Sequence, residues 1–362
     1  MATRRRAAAR ALSFFLAALL VAIAVVAAVP SLRARAKAVA VLARSAGIWF
    51  PRPFAGRVRV REIRPRPNLV ADLYLPGPPA PAIVLAPGAG AEGRAEPRLI
   101  GVARALAGAG RAVLVPELEL RNETLVTADV DRIVEAVLVA WAMSRRPVGL
   151  LSFSYGGSLA IVAAEDERIA EKLAFVATFG AYAHLGDVIQ GVTTGATVYR
   201  GRTVAWTPAP EAREILQRAA VQLAPAADRA SLGRALASDD PRGLSPSGRA
   251  IFELLANTDP QRTPPLLARL PPSFRRTLDR FSPLTQLHRL RAPLFLMQSD
   301  IDPSTPPTEA LLLHERAPTS RLIRVRRFVH VSVPGSGTPL FARLADLFGA
   351  YEFTSWILEA QE

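Results

Sequence analysis

The sequence predicts an α/β fold, in which helices cover both faces of a mostly parallel β-sheet. Short apolar runs alternate with amphipathic segments from residue 57 to about residue 180, and strand–helix alternation is typical of such sheets. In addition, a serine, an aspartate and a histidine each follow an apolar run. Because open parallel sheets bind ligands beyond the carboxyl ends of their strands, we expect these three residues to meet at one edge.

The elements are predicted in order from this pattern. The strands at 57–63 and 69–75 form a hairpin, and 82–86 is the first strand of the alternating part. Gly108 and Gly110 stop the helix at 98–107. The remaining elements of this part are a strand at 112–115, a helix that carries Val130, Ile133, Val134, Val137, Leu138 and Trp141 on one face, a strand at 148–151, a helix at 158–164 and a strand at 173–178.

Ser154 is the candidate nucleophile. It lies in Ser152-Phe153-Ser154-Tyr155-Gly156-Gly157, directly after the strand at 148–151. A serine exposed on a tight strand-to-helix turn needs small residues two positions before and after it, and these are Ser152 and Gly156; Gly157 adds room. The free N–H groups of the following helix favour negative charge near Ser154. A Gly-rich loop with an incidental serine is the alternative interpretation.

Asp302 and His330 are the candidate acid and base. Asp302 follows the apolar run 292–297, and its carboxylate is placed to orient an imidazole. Asp300 is the alternative acid, since it lies nearer the strand end. Among the four histidines, His330 follows the last predicted strand, 322–325, whereas His288 and His314 have no route to the sheet edge. The order Ser…Asp…His is typical of nucleophilic hydrolases.

These motifs resemble those of the α/β-hydrolases over residues 57–360. The resemblance implies a catalytic triad of Ser154, Asp302 and His330, and it favours Asp302 over Asp300 because Pro306 follows Asp302 by four residues. Gln298-Ser299 stands where the family usually has His-Gly. The loop Pro87-Gly88-Ala89-Gly90 implies an oxyanion hole formed by the backbone N–H groups of Ala89 and Tyr155. Within the family, the serine turn and this loop are most similar to those of the dienelactone-hydrolase-like enzymes and small esterases.

The resemblance also divides the chain. Residues 57–180 and 286–362 are expected to form the α/β-hydrolase core. Residues 181–285, where the alternation stops, are expected to form a helical cap with helices at 211–223, 226–237 and 247–257. Apolar side chains of this segment are candidates for an acyl pocket or for the core of the cap: Phe252, Leu254, Leu255, Leu266, Leu267, Leu270 and Phe274.

Residues 1–30 predict a membrane anchor, with a signal peptide as the alternative. Arg4, Arg5, Arg6 and Arg10 precede an uncharged run at 11–29, which is long enough to span a bilayer and lacks a convincing cleavage site. The charge distribution predicts an extracytoplasmic catalytic domain. Within the juxtamembrane linker 31–56, residues 36–50 predict an amphipathic helix on the membrane surface.

Composition excludes several classes of protein. The chain has 45 Lys and Arg against 31 Asp and Glu, but the positive residues are scattered, so nucleic-acid binding is not predicted. It has no cysteine, hence no disulfide and no thiolate metal site. The Gly-rich loop lacks the Gly-Lys-Ser/Thr ending of a P-loop, so nucleotide binding is not expected. No His-rich cluster indicates a metal site, and no cofactor or metal is expected.

The combined hypothesis is a membrane-anchored serine hydrolase that cleaves an ester or related acyl bond of a small-molecule or lipid-like substrate. Acyl transfer and peptide cleavage use the same machinery and stay open. A non-catalytic membrane scaffold on the same fold is the alternative of another class.

Overall fold

A twisted, mostly parallel sheet forms the centre of the molecule. The computed structural model describes residues 26, 28–45, 57–77, 80–330 and 340–362. In this part of the chain, eight strands pair in the order β1-β2-β4-β3-β5-β6-β9-β10. The strands are β1 Arg59–Arg66, β2 Leu69–Leu75, β3 Ala82–Ala86, β4 Ala112–Pro116, β5 Val148–Phe153, β6 Leu173–Phe179, β9 Leu294–Ser299 and β10 Ser320–Val325.

The direction of the strands agrees with the sequence pattern. β2 is antiparallel to both of its neighbours, and the ladders from β4 to β10 are parallel. β3, β4 and β9 are buried along their whole length, as expected for strands covered on both faces. β1 is the edge strand and is almost wholly exposed, because only β2 pairs with it. The half-buried strand predicted there is therefore an exposed one.

Helices cover both faces of the sheet. One face carries α3 (Thr127–Ser144), α4 (Ser154–Ala164) and α11 (Pro307–Arg316). The other carries α1 (Pro30–Ser45), α2 (Pro97–Gly108) and α12 (Leu340–Glu359). Each set packs on its own apolar cluster, and the predicted α/β fold with helices on both faces is confirmed.

Residues 181–285 leave the strand–helix alternation. They contain α5 Leu185–Thr194, α6 Ala212–Leu223, α7 Arg229–Ser238, α8 Pro246–Leu255, α9 Thr263–Arg269 and α10 Pro272–Arg280. The predicted helices at 211–223, 226–237 and 247–257 correspond to α6, α7 and α8. A hairpin of β7 (Ala196–Tyr199) and β8 (Arg202–Ala205) was not predicted. Its signal is a turn at Arg200-Gly201, where both residues have positive φ, between β-branched residues.

The prediction of a membrane anchor is wrong. None of the helices that the structure describes is long and apolar enough to cross a bilayer. This finding contradicts the single-pass anchor, the membrane localisation and the extracytoplasmic catalytic domain. Of the apolar run at 11–29, only Val26, Ala28 and Val29 are among the described residues.

The amphipathic helix predicted at 36–50 packs against protein instead of membrane. Its described part belongs to α1, which buries Ala34, Ala38 and Val41 in the apolar cluster shared with α12. Ion pairs fix the polar side of α1 to the end of the chain: Arg33 and Lys37 with Glu362 at 2.8 and 2.9 Å, and Arg35 with Glu359 at 3.0 Å. Residues 46–50 lie outside the described residues.

Glu165, at the end of α4, gives the fold a pH-dependent stability. The side chain is buried, one of its oxygens has no hydrogen-bond partner, and burial raises the pKa of Glu165 to about 9 although Arg289 opposes the shift. In the unfolded chain the carboxyl ionises near its ordinary pKa of about 4.3. Between these values the unfolded chain binds fewer protons, so the free energy of unfolding decreases as pH rises.

We expect Glu165→Gln to remove this contribution. The stability of the variant relative to the parent should increase between pH 5 and pH 8, by at most about 1.4 kcal/mol per pH unit. Urea unfolding at three pH values measures it. Glu167→Gln, at an exposed position two residues away, is the matched control. Equal pH slopes for Glu165→Gln and the parent would contradict a buried, neutral carboxyl.

Candidate active site

The carboxyl ends of neighbouring strands bring the candidate residues together. Ser154 follows β5 and Gly180 follows β6, while Asp302 follows β9 by three residues and His330 follows β10 by five. These four strands are consecutive in the sheet, and β3, whose loop carries Ala89, is the other neighbour of β5. Ser154, Ala89, Tyr155 and His330 all line one cavity. The strand order therefore assembles a site from residues up to 241 positions apart, from Ala89 to His330.

Ser154 has a strained backbone. It is the first residue of α4, its φ is +55°, and it is 9% exposed. Non-glycine residues rarely adopt positive φ, and the strain persists only where the surroundings impose it. Here the preceding strand and the following helix impose it, so Ser154 faces the cavity at the point where strand becomes helix.

The small residues around Ser154 make this turn possible. A Cβ on Gly156 would lie 2.1 Å from the carbonyl oxygen of Pro87, and one on Gly157 would lie 3.0 Å from Ala181 Cβ. Ser152 is buried, and its hydroxyl donates a hydrogen bond of 2.9 Å to the carbonyl of Ala86. The turn is thus packed directly on the loop after β3.

Gly156→Ala should disrupt the turn. Since the new methyl meets backbone and not a flexible side chain, we expect a loss of about 1–3 kcal/mol in the free energy of unfolding, together with most of the activity. Gly101→Ala is the matched control, because a Cβ there meets no atom within 4 Å. It lies within α2 and should stabilise the protein by about 0.5–1 kcal/mol. Thermal unfolding of both variants measures the difference, and a neutral Gly156→Ala would contradict the contact with Pro87.

Asp302 and His330 form a hydrogen-bonded pair. His330 Nδ1 lies 2.9 and 2.8 Å from the two carboxylate oxygens of Asp302. Asp302 is 1% exposed, and one of its oxygens accepts hydrogen bonds from the backbone N–H groups of Ser304 and Thr305 at 2.8 and 3.0 Å. These contacts hold the carboxylate still, so it can fix the orientation of the imidazole.

Asp300 does not contact the histidine. Its carboxylate accepts a hydrogen bond of 2.7 Å from Arg324 on β10, at a partly exposed position. Two other histidines contact residues outside the site: His184 lies 3.4 Å from Asp187, and His314 lies 2.7 Å from the Ser320 hydroxyl. The structure therefore brings Asp302 and His330 together and leaves Asp300 outside the site.

The loop after β3 is held against the serine. A Cβ on Gly88 would lie 3.2 Å from Ser154 Cβ, so the loop passes the serine at van der Waals distance. Tyr155, the second residue of α4, has a free backbone N–H because the first N–H groups of a helix have no partner within it. The side chain of Tyr155 packs edge-on against Tyr182 at 5.2 Å, and burial raises its pKa to about 12.

Arg94 holds the far end of this loop. Its guanidinium contacts three carboxylates: Glu62 at 2.7 Å, Glu117 at 2.5 Å, and Asp72. These come from β1, from the segment after β4 and from β2. The arginine therefore ties the loop to the antiparallel strands β1 and β2 and to the end of β4.

Several supporting residues were missed in the sequence. Gln298, noted only as a departure from the family pattern, donates from Nε2 to Asp302 at 3.2 Å. Trp206 Nε1 donates to the Asp302 carbonyl at 2.7 Å, and Thr305 donates to the Gly180 carbonyl at 3.1 Å. The position of Gly180 directly after β6 was a usable signal, since its φ is +76° and a Cβ there would lie 3.1 Å from His330 Cε1. No local pattern marks Trp206, which is 96 residues from Asp302.

The cavity over Ser154 is apolar. Its volume is about 250 Å³, and its walls come from α5, α6, α8 and α10 and from the segment between β4 and α3. Of the predicted pocket residues, Leu254, Leu255 and Phe274 line it. Phe252, Leu266 and Leu270 are buried in the surrounding apolar cluster, and Leu267 packs against it. Within the described residues, no group of three or more His, Cys, Asp or Glu side chains is arranged to hold a metal ion.

Comparison with known proteins gives structural similarity only. No family model and no curated protein matches the sequence. An esterase from Pyrobaculum calidifontis is similar with a TM-score of 0.47 and 17% identity, covering 90% of each chain. Carboxyl esterase 2 from the fungus Tuber melanosporum gives 0.48 and 14%, covering 84% of this chain and 88% of its own. Dienelactone hydrolase from Anabaena variabilis gives 0.41 and 16%, covering 82% and 96%.

The predicted resemblance to the α/β-hydrolases is confirmed at the level of the fold. Six of the eight strands form the expected parallel part of the sheet, and the serine turn lies after the fifth strand. Identities of this size leave the activity to be argued from the site itself.

Proposed function

We propose that this protein is a serine hydrolase that cleaves carboxylic esters through an acyl-enzyme. The contact between the buried Asp302 and His330, whose imidazole lines the same cavity as Ser154 on its strained turn, is the observation that carries the proposal. A nucleophile, an oriented base and an apolar cavity are the parts that acyl transfer to water requires.

The hydrogen bond to Asp302 defines the role of each ring nitrogen. With Nδ1–H donating to the carboxylate, the Nε2 atom of His330 is free to accept a proton. Ser154 Oγ attacks the substrate carbonyl while Nε2 takes the hydroxyl proton, and Asp302 stabilises the imidazolium that forms. The imidazolium then gives its proton to the leaving alcohol. In the second step, His330 takes a proton from a water molecule, which attacks the acyl-enzyme. The bond between Ser154 Oγ and the acyl group breaks, the acid is released and the imidazolium returns the proton to Ser154.

The tetrahedral intermediate carries negative charge on the former carbonyl oxygen. In our proposal the backbone N–H groups of Ala89 and Tyr155 stabilise it, since both residues line the cavity beside Ser154. The N-terminus of α4 contributes further positive potential. Residues 181–285 act as a cap, because α5, α6, α8 and α10 form the walls of this cavity.

A fluorophosphonate probe tests the proposal. It should label the protein covalently, and mass spectrometry should place the label on the peptide that contains Ser154. Release of p-nitrophenol from a p-nitrophenyl ester should fall in proportion to the labelled fraction. Absence of both labelling and ester hydrolysis would favour a non-catalytic protein on this fold. Labelling on another serine with full activity would show that Ser154 is not the nucleophile.

A further inference from the structure

The charge of the cavity differs from that of the whole chain. The protein has 45 lysines and arginines and a net charge of +14, yet no lysine or arginine of the described residues lines the cavity over Ser154. His330 is its only basic side chain among them. The ionisable groups that line it otherwise are the Tyr155 phenol, whose pKa burial raises to about 12, and two exposed carboxylates, Glu123 and Glu211.

The rest of the lining is mostly aliphatic, with one aromatic side chain, Phe274. Ile189 comes from α5, Ile215 and Leu216 from α6, Leu255 from α8, and Phe274 and Leu278 from α10. Side chains on four different helices thus converge on one space, and four of these six are at most 4% exposed: Ile189, Leu255, Phe274 and Leu278. Polar partners for a buried ligand group are confined to the end that holds Ser154, Ser304 and His330.

We infer that the acyl part of the substrate is an uncharged aliphatic chain, and that acyl groups bearing a carboxylate are rejected. This inference rests on the proposed serine hydrolase function and narrows it. A carboxylate pushed into the cavity would lose its water without gaining a cation from the lining. At the surface of the cavity Glu211 would repel it, whereas Glu123 is paired with Arg218 at 2.6 Å. An aliphatic chain, in contrast, gains from burial in proportion to its length.

The first experiment measures kcat/KM for p-nitrophenyl esters from acetate to dodecanoate. Each added methylene should raise kcat/KM by about fourfold until the cavity is filled, which corresponds to about 0.8 kcal/mol per buried methylene. Longer chains should then bring no gain or a loss. A fall in kcat/KM from acetate onward would overturn the inference.

The second experiment compares two esters of equal chain length. The p-nitrophenyl ester of hexanoic acid ends in a methyl group, whereas the mono-p-nitrophenyl ester of adipic acid ends in a carboxylate. We expect the hexanoate to react at least about 100-fold faster in kcat/KM, because the buried charge has no partner. Equal rates, or faster cleavage of the adipate, would contradict the charge argument.

A pair of variants locates the chain in the cavity. Ala219 on α6 lines it, so Ala219→Phe should fill part of it and shift the preferred ester to a shorter chain. Ala230→Phe makes the same change at an exposed position on α7 and should leave the chain-length profile unchanged. Identical profiles for the two variants would place the acyl chain elsewhere.

Labelling by the fluorophosphonate probe separates this inference from the proposed function. If the parent protein is not labelled, the proposed function is contradicted. If the parent is labelled normally but prefers acetate or the adipate ester, only the inferred acyl specificity is contradicted. For Ala219→Phe, normal labelling shows that the site is folded, and the ester profiles of the parent test the inference even if this variant does not fold.

Discussion

Replacing Ser154 with alanine is expected to lower the turnover of an ester substrate by about 10⁶-fold, the scale seen when a serine hydrolase loses its nucleophile. It should also abolish fluorophosphonate labelling. The reason is that no other hydroxyl of the described residues combines a place in the cavity with a positive φ directly after a strand. Stability should change little, since alanine keeps the Cβ and removes only the hydroxyl.

The control for this prediction is a serine outside the site. Ser238 is exposed at the end of α7, and its hydroxyl contacts only the carbonyl of Arg234 among its hydrogen-bond partners. Ser238→Ala should retain full turnover and full labelling. If Ser154→Ala kept either property while its thermal unfolding matched the parent, Ser154 would have no part in the reaction.

Asp302→Asn is expected to lower turnover by about 10⁴-fold, the effect of an imidazole held in the wrong tautomer. An asparagine amide would donate a hydrogen bond to His330 Nδ1. The imidazole would then carry its proton on Nε2, so Nε2 could not accept a proton from Ser154. The backbone donors of Ser304 and Thr305 can still bond to the asparagine oxygen, so the loop should keep its shape. The effect should therefore appear in kcat with little change in thermal stability.

Asp300→Asn is the control for Asp302→Asn. It removes a nearby negative charge without removing the carboxylate that contacts His330. Asp300 is two residues away and pairs with Arg324 instead of His330, so its replacement should change turnover by less than about threefold. A larger effect from Asp300→Asn than from Asp302→Asn would show that the acid had been assigned to the wrong carboxylate.

Much of the core was predictable from local sequence. β2 and β3 begin and end at the predicted residues, 69–75 and 82–86, because a short, mostly apolar run between turn residues is a local signal. The helix after Ser154 begins four residues earlier than predicted, at Ser154 itself. Two glycines and a serine in its first turn hide the helical pattern, since those residues have weak helix propensity.

The candidate site was predictable in its residue types but not in its contacts. The positions of Ser154, Asp302 and His330 after apolar runs indicated one sheet edge. The supporting bond from Trp206 to Asp302 carries no local signal. It depends on where the end of the hairpin β7–β8 lies in space, which only long-range packing decides. Gln298 is four residues from Asp302, and its bond depends on the shape of the turn after β9.

The sequence by itself determined which residues are apolar, which turns require small residues, and the chain order of nucleophile, acid and base. Tertiary structure decided the choice between Asp300 and Asp302, because both follow the same strand and only one reaches His330. It also decided what covers the apolar face of α1, which is buried against α12. The physical reason is that the hydrophobic effect has no direction: an apolar helix face specifies that it will be buried, but not whether lipid or protein will cover it.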